Sequence, residues 1–331
     1  MSDSLLTNRE QRLSGLYNKL SEKLSTLEDL RLDYIKRRNR FNLYFFAVVA
    51  LLVGLFLWKD VLFDISIWFV FGGILLYVLI SAFYLGKYKS AVTNMYERDV
   101  VPTMIDEFFP EATYRQGSCL SETDYWNSGL FNRSVDRYNG HSLFKGIFGE
   151  TKIRFSQLHT EYKTTRHTKN GTRTTWHTIF KGILMVADAN KRFNGRTYVT
   201  QDVAERTLGG FGKWLQEKTS AKGTELVYLE NPAFEKEYAV YSSDPVEARY
   251  LLTPSMQEYL VNLHKHNGGG VIISFVDGNV YLAMTGGFNL FGAKMNLSFT
   301  DRSTIEYYMR DLLHILSTIE ILDLNTRIWK K

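Results

Sequence analysis

One cysteine, five prolines and two long stretches with no charged side chain bound what this 331-residue chain can be. Cys119 stands alone, so no internal disulfide can form, which fits a reducing compartment. No proline interrupts Thr7 to Trp58, so that stretch can run as one helix. No G-x-S-x-G, H-E-x-x-H or Cys/His pairing with a recognisable context occurs, and the commoner hydrolase and zinc signatures are therefore missing. No cofactor or metal is expected.

Charge is missing from Phe41–Trp58 and from Ile65–Leu85, and between them only Lys59, Asp60 and Asp64 carry any. At about 1.5 Å per helical residue these runs reach roughly 27 and 31 Å, close to the hydrocarbon thickness of a bilayer. Lipid leaves the backbone no outside partner, so the α-helix is the expected form. The sequence therefore predicts a transmembrane helical hairpin over 41–85. Lys36, Arg37, Arg38 and Arg40 precede it, and Lys87 and Lys89 follow. The positive-inside bias puts both flanks, and with them both termini, in the cytoplasm. The same six side chains are expected to meet anionic lipid head groups. Trp58, Phe63 and Trp68 would form an outer aromatic belt, and Tyr84 and Tyr88 an inner one. Met1–Arg40 is too long and too acidic for a signal-peptide n-region, so no cleavage is expected.

The overall charge is +5, from 40 Lys and Arg against 35 Asp and Glu. Much of it sits in the collars beside the spans, and 101–331 is nearly balanced, which argues against a nucleic-acid groove.

Three parts surround the hairpin. In the arm, 1–40, Thr7 to Glu10 forms a capping-box pattern. Leu13, Leu20, Leu27 and Tyr34 follow at heptad spacing, with Leu16 and Leu30 in the alternate position. That spacing suits a short coiled coil, with self-association through the arm, or equally an amphipathic helix lying on its own domain. A juxtamembrane stalk is expected over 86–110, ended by Pro102, with Leu20, Leu24 and Leu27 packing near Val92, Met95 and Tyr96. Residues 111–331 read as one α+β domain, with a possible subdomain division near 223. Within it, Asn170-Gly171 predicts a hairpin between Lys152–Thr165 and Thr172–Asp188, with His177 opposite Thr164 and His167 opposite Thr174. Val199–Thr219 reads as helix and 225–229 and 238–241 as strands. Asp244-Pro245 and Thr253-Pro254 read as helix starts, Asp277–Asn279 as a second hairpin turn, and Ser303–Leu324 as a last amphipathic helix.

Several blocks in order, Phe155–Tyr162, Phe180–Thr197, Asp244–Pro254, Ser274–Gly278 and Asn325–Trp329, resemble segments of the bacterial domain-of-unknown-function family 3137 over roughly 105–331. The resemblance implies a two-span inner-membrane protein with a cytoplasmic domain and no established activity. It also implies a neighbourhood with LemA-like coiled-coil membrane proteins as candidate partners. Gln157 departs from the glutamate expected there.

Candidate chemistry is sparse. Asp188 with Arg196, and Glu247, could bracket a hydrolase-like site, although polar turns and caps use the same residue types. Lys163, Arg166, Lys169 and Arg173 make a basic hairpin tip that suits head groups or an acidic partner. Gly209–Lys213 has glycines misplaced for a phosphate loop, and Trp214 stands where Ser or Thr would bind magnesium. The sequence favours a membrane-tethered binding or scaffolding module over an anchored enzyme.

Overall fold

The structure, a computed structural model, describes residues 2–57, 67–109, 111–148, 151–168, 171–189, 193–201, 223–267, 269–285, 292–304 and 306–307. It forms two compact units. One comprises Met1–Phe108 with Phe291–Met309, and the other Phe109–Leu290 with Arg310–Lys331.

The first unit is helical. α1 spans Ser2–Leu57, α2 Ile67–Asp99 and α3 Val101–Phe108. α2 stops just ahead of Pro102, as expected of a residue without an amide donor, and α3 restarts with that proline near its N-terminus. α1 and α2 run antiparallel: Lys23 bonds the Asp99 carbonyl at 3.2 Å, Arg37 reaches Tyr84, and Phe45 stacks on Tyr77 at 5.9 Å. Leu16, Leu20, Leu24 and Leu27 on α1 are buried, with Val92 and Tyr96 on α2. Of the heptad positions, Leu16, Leu20 and Leu27 are buried within this unit, as expected of a helix lying on its own domain, whereas Leu30 is 38% exposed. The segment 292–304 closes this unit. Phe299 stacks on Tyr96 at 5.7 Å, and its N–H donates to Glu28 Oε2 at 2.8 Å. Glu28 in turn holds Arg31 at 2.6 Å, and Arg31 reaches the Met295 carbonyl. That guanidinium and the Phe299 amide hold the Glu28 carboxyl below its ordinary range, against a smaller opposing push from burial.

Among the described residues no helix is long and apolar enough to cross a membrane. The two charge-free runs extend beyond the described residues at 58 and at 65–66, as do Phe63 and the outer belt's Trp58.

The second unit is α+β, built on a nine-stranded antiparallel sheet. Its strands are β1 Thr113–Arg115, β2 Arg137–Phe148, β3 Thr151–Thr168, β4 Gly171–Asp188, β5 Thr197–Gln201, β6 Glu225–Val227, β7 Tyr238–Ser242, β8 Val271–Val276 and β9 Asn279–Thr285. Their order is β1-β2-β3-β4-β9-β8-β5-β7-β6, so β5 before position 223 and β6 after it both pair with β7 in one sheet. Among the described residues four helices accompany it: α4 Glu122–Asn127, α5 Pro232–Glu235, α6 Pro245–Leu251 and α7 Pro254–Asn267.

Antiparallel strands usually alternate between core and solvent, yet 182–187, 271–276 and 280–285 are almost wholly buried. Both faces of the sheet's centre are covered. On one face Phe180, Leu184, Val186, Ile272, Tyr281 and Ala283 join a core with Leu120, Tyr125, Leu130 and Phe131. On the other, Tyr238 stacks on Phe234 of α5 at 4.9 Å and donates to the Leu260 carbonyl of α7 at 3.0 Å. Gly182 is required where β4 meets β9, because a Cβ there would lie 1.9 Å from the Met284 carbonyl oxygen. The turn between β8 and β9 puts Asp277 and Gly278 at φ 49° and 77°, the left-handed pair of a type I′ hairpin.

Two expectations need correction here. Val199–Gln201 are strand, not helix, because β5 is needed to join β7 to β8; the rest of that expected helix, 202–219, lies outside the described residues. The β3–β4 register is two residues off. Tyr162 opposes His177 and His167 opposes Thr172, because Gly171 (φ 129°) is the first strand position and the connection is 169–170. Ser303–Leu324 is helical at 303–304 and 306–307, and 308–324 lies outside the described residues, as do Gly209–Lys213.

Candidate functional site

Asp188, Arg196 and Glu247 were the first candidates, and local chemistry accounts for Glu247. Asp244 caps α6, its Oδ1 accepting from the Val246 and Glu247 amides at 3.1 and 3.0 Å, with Pro245 in the first turn. The cap aims Glu247 back at the loop ahead of β5. Its Oε1 accepts from the Asn194 N–H at 3.0 Å and its Oε2 from the Gly195 N–H at 2.7 Å. Beside it the Arg196 N–H donates to Ser243 Oγ at 2.9 Å, and the Ser243 N–H returns to the Arg196 carbonyl at 3.1 Å. A Cβ on Gly195 would lie 2.8 Å from Asp244 Cβ, so the close approach selects glycine. Both Glu247 oxygens are therefore engaged in holding a turn. The Arg196 side chain is exposed, and Asp188 ends β4 opposite Asn279. Sequence reasoning missed Ser243 and the two amides, since nothing local in 193–195 announces a partner fifty residues on.

The hairpin tip is a second candidate. β2 leaves β3 at Glu161, and β9 pairs with β4 only from Gly182, so Tyr162–Thr168 and Gly171–His177 pair only with each other. At roughly 3.3 Å per residue this two-stranded ribbon extends about 23 Å. A bulge at its root, between Thr160 and Glu161, leaves Ile179 as the extra residue on β4. One face presents Tyr162 with His177, Thr164 with Thr175 and Arg166 with Arg173. The other presents Lys163 with Trp176, Thr165 with Thr174 and His167 with Thr172. Arg133 lies 4.4 Å over the Tyr162 ring, which stacks on His177 at 4.9 Å; Arg137 lies 3.9 Å over Trp176. Lys169 lies outside the described residues.

Histidines on this hairpin take hydroxyl partners. His177 Nε2 is 2.9 Å from Thr164 Oγ1, His167 Nδ1 2.9 Å from Thr172 Oγ1, and His159 Nε2 3.3 Å from Thr178 Oγ1. Among the described residues no group of three His, Cys, Asp or Glu side chains could hold a metal ion. Cys119 is half-buried, and burial pushes its thiol up.

The basic collar divides. Lys36, Arg38, Arg40, Lys87 and Lys89 are exposed. Arg37 instead turns to α2: Nε bonds Asp33 at 2.7 Å, Nη1 donates to the Tyr84 hydroxyl at 2.9 Å, and the guanidinium lies 4.7 Å over Tyr88. Arg37 thus bridges the two helices. One turn further, the Tyr77 hydroxyl donates to the Phe41 carbonyl at 2.5 Å.

Residues 178–324 match the family described as Protein of unknown function (DUF3137). The match is narrower than the resemblance read from separated blocks, two of which, 155–162 and 325–329, fall outside it. No curated protein matches the chain. The crystal structure of the mycobacterial trehalose monomycolate transport factor A is similar at 10% identity and a TM-score of 0.32, over 63% of this chain and 86% of that one.

Proposed function

We propose, starting from a chain whose residues 178–324 match the DUF3137 family, that it is a membrane-tethered binding or scaffolding module of the bacterial inner membrane. Two spans over 41–85 would anchor it, with both termini and the sheet domain cytoplasmic. The observation that carries this reading is apolar exposure on two paired helices. Leu43, Phe46 and Leu51 on α1 and Leu75, Leu79 and Phe83 on α2 are 59–73% exposed. In water each would forgo roughly 1.5–3 kcal/mol of burial, which for six residues is about 9–18 kcal/mol, comparable with the whole stability of a domain. Lipid removes that penalty, and contiguous patches of this kind mark membrane or protein contacts. Lys36, Arg38, Arg40, Lys87 and Lys89 flank the helices on one side, as a cytoplasmic collar would.

Tethering raises the effective concentration of the sheet domain for partners at the same membrane. The runs 41–58 and 65–85 hold no Asp, Glu, Lys, Arg or His, which supports anchoring over conduction. The test is a pair of reporter fusions active only outside the cytoplasm. One placed after Lys331 should be silent and one inserted at Asp60 active; activity after Lys331 overturns the topology. Affinity capture of the full chain from gently solubilised membranes then tests the module, and recovery of no specific protein counts against scaffolding.

A further inference from the structure

The β3–β4 ribbon stands out because it combines charge of one sign with a shape that nothing in its own sheet covers. Between Glu161 and Asp188 there is no carboxylate, while Lys163, Arg166 and Arg173 lie on the ribbon. The nearby acids sit at its root. Asp136 takes the Lys163 N–H at 2.8 Å and lies 3.9 Å from its Nζ, and Glu161 holds Arg137 at 3.0 Å. Toward the tip, Arg166 is directly opposite Arg173. Like charges opposed across a ladder destabilise a bare ribbon. An anion bound between them reverses that sign, and two guanidiniums make a planar set of donors suited to phosphate oxygens.

Aromatic side chains flank these cations. Trp176 is 39% exposed under Arg137, and Tyr162 lies under Arg133. Indole and phenol beside basic residues are the side chains that favour the head-group layer, with an apolar body and a polar edge. The hydroxyls of Thr164 and Thr175 lie on the same face as the two arginines and add donors for phosphate. Net charge over 101–331 is close to neutral, so the ribbon is a local cationic feature rather than one end of a broad basic groove for nucleic acid.

We infer that the β3–β4 ribbon is a finger that docks on the anionic phospholipid head groups of the membrane to which the chain is tethered. The inference rests on the tethered reading, because tethering supplies the high effective concentration that a few surface cations need. Docking of this kind would hold the sheet domain down on an anionic bilayer and release it from a neutral one.

The test uses the full chain with Cys119→Ser and Thr174→Cys, carrying an environment-sensitive dye at the new thiol on the ribbon's other face. It is reconstituted into vesicles of phosphatidylcholine alone or of phosphatidylcholine enriched in phosphatidylglycerol. The expected result is a blue-shifted emission, quenched by nitroxide head-group lipid, in the anionic vesicles only. Arg166→Glu with Arg173→Glu should lower the bound fraction at least tenfold, Arg166→Lys with Arg173→Lys should retain most of it, and Lys145→Glu on β2 should leave it unchanged. Equal signals in both vesicles, or none in either while the protein resists carbonate extraction, overturn the finger and leave the tether standing. A dye that responds to added polyglutamate and not to lipid overturns it in favour of an acidic protein. Release of the reconstituted chain by carbonate overturns the tether and the finger together.

Discussion

Replacing Glu247 with alanine separates a turn-holding carboxylate from a catalytic one. The side chain accepts from two backbone amides, at 3.0 Å from Asn194 and 2.7 Å from Gly195. Hydrogen bonds to a charged group contribute about 1.5–3 kcal/mol each. Asn194 is exposed, so water replaces most of its bond, whereas Gly195 is buried and its N–H would be left unpaired. The expected loss is about 3 kcal/mol, and at roughly 3 °C per kcal/mol for a unit of this size the melting temperature should fall by about 9 °C. Glu247→Gln keeps one acceptor oxygen and loses the charge, so about half that fall is expected. Thermal unfolding of the full chain in mild detergent, followed by circular dichroism, gives both values. If Glu247→Ala melts within a degree of the parent, the turn does not depend on the carboxylate. The hydrolase-like reading of Asp188, Arg196 and Glu247 would then regain its best residue.

Other outcomes follow from the same geometry. Gly182→Ala should cost about 3 kcal/mol or more, since the new Cβ would lie 1.9 Å from a ladder carbonyl and backbone cannot step aside; a melting temperature like the parent's refutes that packing. Asp124 is raised by burial but lowered more by hydrogen bonds from Arg154 and Ser121, so its folded value lies below the ordinary carboxylate range. Stability from such a group is present above its unfolded value near 4 and is lost as pH falls through the folded one. Asp124→Asn should therefore melt lower at neutral pH and show a shallower decline below about pH 4, and an equally steep decline would contradict the pairing. Cys119, with its thiol pushed up by burial, should react slowly with iodoacetamide at neutral pH and quickly once unfolded; equal rates would place it in an open, activated setting.

Local chemistry is where the sequence was most legible. Asp244-Pro245, Thr253-Pro254 and Asp277-Gly278 each declare a cap or turn through their own backbone and side chain, and each lies where expected. Signals that depend on distant partners were harder to read. Val199–Gln201 looked helical because its strand role comes from β7, about 40 residues away, and β8, 74 residues away at Val199 and Ile273. Asn170-Gly171 announced a hairpin, yet the register slipped by two because glycine's positive φ is used at the first paired position rather than inside the turn. The arm's leucines showed an apolar stripe but not what covers it; Leu16, Leu20 and Leu27 are buried in a unit where α1 meets α2 and α3. Glu247 illustrates the limit for sites: a carboxylate near a turn reads alike as a catalyst or as an acceptor until its partners are known.

Alkaline carbonate washing of membranes from cells making the full chain bears most directly on where Leu43, Phe46, Leu75 and Phe83 reside. Helices whose apolar sides lie in lipid stay with the bilayer when ionic contacts are stripped, so the polypeptide should remain in the pellet. Its recovery, intact, in the supernatant would mean that something other than lipid covers those side chains, and the tethered module would have no anchor.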